Sequence, residues 1–179
     1  VDALLVVDMQ NACIEEVKRF RIEQVIAQIN SLIGHFRSRD QLIVFIQHED
    51  DSPEFSSGSS GWQIHKTIDC QPHDEVVAKS YNDAFIHTRL ADLLQQHSID
   101  RLVITGCATD FCVDCTIKGA IAQGYDVIVP DDAHTTADRP FVSAEKLIAH
   151  FNWNWAELMT VQQKIAVIST RRYLQVVNQ

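Results

Sequence analysis

Apolar and polar positions alternate along the chain in two distinct rhythms. Ala3 to Val7 is an unbroken apolar run that stops at Asp8, the pattern of a strand buried on both faces. Ile22, Val25, Ile26, Ile29, Ile33 and Phe36 then recur at helical spacing. Gln41 to Gln47, centred on Leu42 to Ile46, predicts a second strand, and Glu75 to Ala78 a short third one ending at Lys79. Leu90, Leu93 and Leu94 mark a helix that ends near His97. Arg101 to Thr105 is β-rich with no helical period and predicts a fourth strand. Val113, Ile117, Ala120 and Ile121 lie on one helical face, with Thr109 or Asp110 as N-cap and Gly124 as the stop. Tyr125 to Val129, halted by Pro130, is a fifth strand. A polar loop spans 131–136, a helix covers about 142–151 with Leu147 and Ile148 inward, Lys164 to Ile168 is a sixth strand, and the tail is helical.

Strands alternating with helices predict an α/β fold: a three-layer α-β-α sandwich around a mostly parallel, roughly six-stranded sheet. No repeat, low-complexity tract or linker interrupts residues 1–179, so a single domain is expected. Right-handed crossovers bring the carboxyl ends of all parallel strands to one edge, where such folds bind ligands. Asp8 ends the first strand, Lys79 the third, and Cys112 lies just past the fourth, so three reactive side chains far apart in sequence are expected at one rim. Cys112 falls near a helix start, where free N–H groups and the helix dipole favour the thiolate. Asp8 can shuttle the thiol proton, Lys79 can hold Asp8 ionised, and backbone N–H groups near Ala108 and Cys112 can form an oxyanion hole. Each has a plainer alternative: Asp8 as a cap, Lys79 as an edge charge, Cys112 as a small buried hydrophobe.

Composition narrows the partners. A formal net charge of −9 argues against nucleic acid or an anionic membrane, and no apolar run approaches a membrane span. No secretory signal is visible, and five cysteines with three clustered do not form a disulfide framework, so a reducing cytoplasm is expected. Cys112-Val-Asp-Cys115 has the C-x-x-C spacing of thiol redox proteins, a rival reading that lacks the early strand and facing proline of that class. The long loop from His48 to Asp74 carries Phe55, Trp62 and Ile64 and reads as a binding segment or a pinned surface excursion.

The segments LLVVDMQN, GSSGWQIH, VVAKSYNDAF, TGCATDFCVDCT and GYDVIVPDDAHTT together resemble the isochorismatase-like cysteine hydrolases. The resemblance implies Asp8 as the acid of D-x-Q, Lys79 as the lysine before D-A-F, and Cys112 as the nucleophile of T-G-x-x-T-x-x-C-V. It implies a cis bond from Cys107 to Ala108, which would aim the Ala108 N–H into the oxyanion hole beside that of Cys112. Members that cleave vinyl ethers lack the cysteine. Its presence therefore implies hydrolysis of a C–N bond in a small amide or carbamoyl compound through a thioester, with isochorismatase-type hydrolysis of another small substrate as the alternative. Dimers or larger homo-oligomers are implied as well. Nicotinamidases add a metal at D-x-H with a further histidine; here the order is reversed, as His48-Glu49-Asp50. His48, Asp50 and His65 could still take a divalent ion, although no metal or other cofactor is expected. Gln10, Trp62 and Phe85 could line the pocket, with packing as the alternative for the two aromatics. His134, after the fifth strand, reads as a hydrogen-bonded structural histidine, and Cys115 has no assigned role.

Overall fold

The computed structural model describes residues 1–177; Asn178 and Gln179 lie outside the described residues. The strands are β1 (Asp2–Val7), β2 (Ile43–His48), β3 (Glu75–Lys79), β4 (Arg101–Cys107), β5 (Asp126–Pro130), β6 (His134–Thr135) and β7 (Ile165–Ile168). The helices are α1 (Asn11–Ile14), α2 (Ile22–Arg37), α3 (Leu90–Gln96), α4 (Asp114–Ala122), α5 (Ala144–Ala156) and α6 (Thr170–Val176), with a π-turn at Thr109–Val113 leading into α4. The sheet runs β3-β2-β1-β4-β5-β7, with β6 on the far end of β4, and all its pairings are parallel.

Alternation along the central strands divides the core into two layers. Ala3, Leu5 and Val7 of β1 join Val44, Ile46, Leu102 and Ile104 on the face covered by Leu93, Leu94, Ile117, Ala120 and Trp155. Leu4 and Val6 point the other way, with Phe45 and Val103, onto Val25, Ile29, Leu32, Ile33 and Phe36 of α2 and Tyr173 of α6. Each valine, leucine, isoleucine or phenylalanine among them, once buried, contributes about 1.5–3 kcal/mol. The buried stripe of α2 has the spacing expected from its sequence, and α6 is tied to the sheet at its amino-terminal edge, where the Tyr173 hydroxyl donates to Asp2 Oδ2 at 2.8 Å. Among the described residues, no helix is long and apolar enough to cross a membrane.

Two sequence expectations change. The seventh strand, β6, lies within the stretch read as polar loop; its two residues pair with Gly106 and Cys107, because the rim of β4 extends past Thr105 and needs a partner there. Neither Thr109 nor Asp110 caps the following helix. The Thr109 hydroxyl lies 2.9 Å from His134 Nδ1, and the Asp110 carboxylate is claimed by Arg139.

Candidate active site

The carboxyl ends of β1, β3 and β4 do converge. Asp8 leaves β1 with φ of +48°, a left-handed conformation that aspartate tolerates better than most residues. Lys79, the last residue of β3, is fully buried at its side chain and holds Asp8 Oδ2 at 2.8 Å. The same ammonium donates to Cys112 Sγ at 3.3 Å and lies 3.5 Å from His48 Nδ1. Asn82 Oδ1 lies 3.8 Å from Cys112 Sγ. Asp8 Oδ1 is buried with no hydrogen-bond partner among the described residues.

Electrostatics here run against the simplest expectation for Cys112. Its thiol is pushed well above the usual thiol range, first by burial and then by the Asp8 carboxylate; Lys79 lowers it, but by less. The helix start therefore does not yield a standing thiolate, because the sulfur sits in a poorly solvated cleft beside an anion. Burial works against the charge on Lys79 too, yet attraction to Asp8 and Cys112 outweighs it and leaves Lys79 above the ordinary lysine value.

The π-turn carrying Cys112 is braced from below and from the side. A turn of this kind widens the helix by one residue and is concentrated at functional sites. The Asp110 carboxylate accepts from Arg139 Nε at 2.8 Å and from the Thr136 hydroxyl, and Arg139 lies 4.8 Å from the Phe111 ring centroid. Asp114, at the start of α4, accepts from Trp155 Nε1 at 2.9 Å. The bond between Cys107 and Ala108 is cis.

His134 lies under the turn, buried, with Nδ1 facing the Thr109 hydroxyl and Nε2 2.9 Å from Asn152 Oδ1. Burial drives its pKa down to about 4. The unfolded chain thus binds a proton near the ordinary histidine value that the folded chain refuses. Stability from this group is intact at neutral pH and is lost as pH falls from about 6.5 towards 4, reaching about 3 kcal/mol at the acid end. Urea unfolding at pH 7 and pH 4.5 should show a clearly smaller acid loss in His134→Gln than in the wild type; parallel losses would refute this.

A cavity of about 240 Å³ opens onto the cysteine, lined by Asp8, Cys13, Arg19, His48, Phe55, Asn82, Cys107, Ala108, Phe111, Cys112 and Arg139. Gln10, Trp62 and Phe85 are not among its walls. Gln10 is fully buried and spends its amide on backbone: Nε2 donates to the carbonyls of His48 (2.9 Å) and Trp62 (2.8 Å), and Oε1 accepts from His48 N–H (2.8 Å). It thereby pins the 48–74 segment to the rim. Trp62 contributes its carbonyl to that clamp, and Phe85 stacks on Tyr125 at 5.9 Å and packs on the core. The side chains that this segment sends to the cavity are His48 and Phe55, the two rings edge-on at 5.1 Å.

His48, Asp50 and His65 do not converge. His48 Nε2 lies 2.9 Å from Asp50 Oδ2, while His65 lies 2.6 Å from the Thr67 hydroxyl and 3.3 Å from Glu15. No group of three metal-ligating side chains occurs among the described residues. The Lys79 ammonium beside His48 Nδ1 is a cation already in place. Cys115 lies outside the cavity, its thiol raised by burial and by Asp114 and Asp83.

Comparison with known proteins fits this geometry. The sequence pattern of the isochorismatase domain matches residues 2–163. The chain belongs to the isochorismatase domain family. A streptothricin hydrolase of Streptomyces noursei is 31% identical over 142 residues, covering 78% of this chain and 56% of that protein. The chain thus spans about half the length of the streptothricin hydrolases it matches. A secreted isochorismatase effector of Verticillium dahliae is 29% identical over 148 residues, covering 81% of this chain and 78% of the effector. Among solved structures, an isochorismatase family protein superposes with a TM-score of 0.85 at 30% identity, covering 94% and 98% of the two chains. An isochorismatase-like hydrolase from Alkaliphilus metalliredigens gives 0.82 at 25% identity, covering 98% of each. This isochorismatase-family chain therefore shares its sheet and helix layers with hydrolases of known structure.

Arg19, Asn82, Phe111 and Arg139 were not among the sequence candidates. Asn82 sits three residues after Lys79, and a search of the rim loops for polar groups near each candidate would have found it. Arg19 and Arg139 gave no local signal.

Proposed function

We propose that this chain is a cysteine hydrolase of one catalytic domain that cleaves the C–N bond of a small amide or carbamoyl compound. The observation that carries the reading is Lys79 Nζ, 2.8 Å from Asp8 and 3.3 Å from Cys112 Sγ, behind the small cavity that Asp8 and Cys112 line. Because the thiol is neutral at rest, its proton leaves during attack rather than before it. Asp8 takes that proton as sulfur bonds to the carbonyl carbon. The resulting oxyanion is received by the N–H groups of Ala108 and Cys112. Asp8 then returns the proton to nitrogen, the C–N bond breaks, and the amine departs, leaving a thioester on Cys112. Water, deprotonated by Asp8, attacks the thioester; the acid is released and the thiol is restored. Lys79 keeps Asp8 anionic when it must accept a proton and orients the sulfur. Isochorismatase-type cleavage of another small substrate is the second reading, and the cysteine in the cavity favours the first.

Ammonia release from a panel of small primary amides tests the proposal. Cys112→Ala should lower turnover by about 10⁴-fold or more, whereas Cys115→Ser should leave it within about threefold of the wild type. Activity that survives loss of Cys112, or that requires both cysteines, would refute the reading and in the second case favour thiol redox chemistry.

A further inference from the structure

The cavity beside Cys112 holds more positive charge than its own residues neutralise. Lys79 faces Asp8, and Arg139 is bound by Asp110 through Nε at 2.8 Å and Nη2 at 3.1 Å. Arg19, the second arginine in the wall, donates from Nε to the carbonyl of Cys13 at 2.7 Å and forms no ion pair among the described residues. Its Nη1 is buried and has no hydrogen-bond partner there. A buried guanidinium nitrogen left unpaired is costly, and native proteins seldom leave one without a purpose. In a chain with a net charge of −9, a surplus cation in the reaction cavity is a selective feature.

We infer that Arg19 is a substrate-binding residue that receives a carboxylate, so that the substrate is a small amide or carbamoyl compound bearing a carboxylate a few bonds from the scissile carbonyl. A guanidinium offers parallel N–H donors that match the two oxygens of such a group. The Cys13 carbonyl holds Nε and thereby leaves the outer nitrogens for the ligand. The cavity, at about 240 Å³, suits a compound of few heavy atoms, and a carboxylate at one end with the amide at the other would fill it. Arg19 also borders a larger neighbouring cavity of about 480 Å³. In the wall of that cavity Asp138 and Glu145 balance Arg19 and Lys18, whereas the one carboxylate lining the Cys112 cavity is already matched by Lys79.

The inference rests on the amide-hydrolase reading, and its test separates the two. Hydrolysis of succinamate is compared with that of butanamide, which has a methyl group in place of the carboxylate. The wild type should prefer succinamate by about 100-fold in kcat/KM. Arg19→Gln should reduce that preference to within about threefold by losing succinamate turnover while butanamide turnover is retained, and Arg19→Lys should fall between. A wild type with no preference, or an Arg19→Gln variant that loses both substrates equally, overturns the inference and leaves the hydrolase reading standing. If neither amide is turned over, calorimetric binding of succinamate to Cys112→Ala protein decides. Binding that Arg19→Gln abolishes upholds the anion site, and binding that is absent or survives Arg19→Gln overturns it; the panel of primary amides decides the hydrolase reading separately.

Discussion

Replacing Lys79 with methionine should lower thermodynamic stability by about 3–5 kcal/mol and turnover by about 10³-fold or more. The methionine fills most of the space, so the effect is one of charge. The Lys79 side chain is wholly inaccessible and that of Asp8 nearly so, and one oxygen of Asp8 already lacks a partner. Without the ammonium, a carboxylate stays in the interior with neither counter-ion nor adequate hydrogen bonds. The sulfur loses the one cation that favours its ionisation, and burial and Asp8 act on it unopposed. The double change Asp8→Asn with Lys79→Met should recover most of the stability, since it removes both charges, and none of the activity. Urea unfolding and amide hydrolysis on the same preparations check both halves. A single variant within about 1 kcal/mol of the wild type would show that the pair is not structurally coupled.

Gly106→Ala is expected to be nearly as severe, costing about 3–5 kcal/mol. Gly106 has φ of +114°, a conformation closed to side-chain-bearing residues, and an added Cβ would lie 2.6 Å from the Val7 nitrogen and closer still to the Val7 carbonyl oxygen. Gly106 and Val7 are partners across β4 and β1, one residue before Asp8 and two before Ala108. Relief of the clash must therefore separate the strands that carry the acid and the turn. Thermal and urea unfolding would show the loss, and activity per folded molecule should drop with it; a variant as stable as the wild type would mean that the two strands can separate freely at the rim.

The sheet was legible because its strands are buried on both faces and read as unbroken apolar runs. The parallel topology then put Asp8, Lys79 and Cys112 on one edge, a deduction that needs no side-chain detail. What escaped the sequence depended on depth and on distant partners. Position at a helix start suggested a lowered thiol pKa for Cys112, but the sequence shows neither how little solvent reaches the sulfur nor that the Asp8 carboxylate faces it. Asp110 looked like a cap because capping is local; its actual partner, Arg139, lies 29 residues away. Gln10, next but one to Asp8, looked like a pocket residue, yet its amide is consumed in holding the 48–74 segment. Arg19 and Arg139 stand in stretches with no strong period, so only the folded chain shows that one cation is matched and the other is not.

The thioester is the part of the account that a single measurement reaches. The protein is mixed with a turned-over amide, quenched in acid within the first turnovers, digested and weighed. The peptide containing Cys112 should carry the mass of the acyl group, and the adduct should vanish in Cys112→Ala. Hydrolysis proceeding with that peptide unmodified throughout, or an acyl group found on Cys13, Cys107 or Cys115 instead, would contradict it.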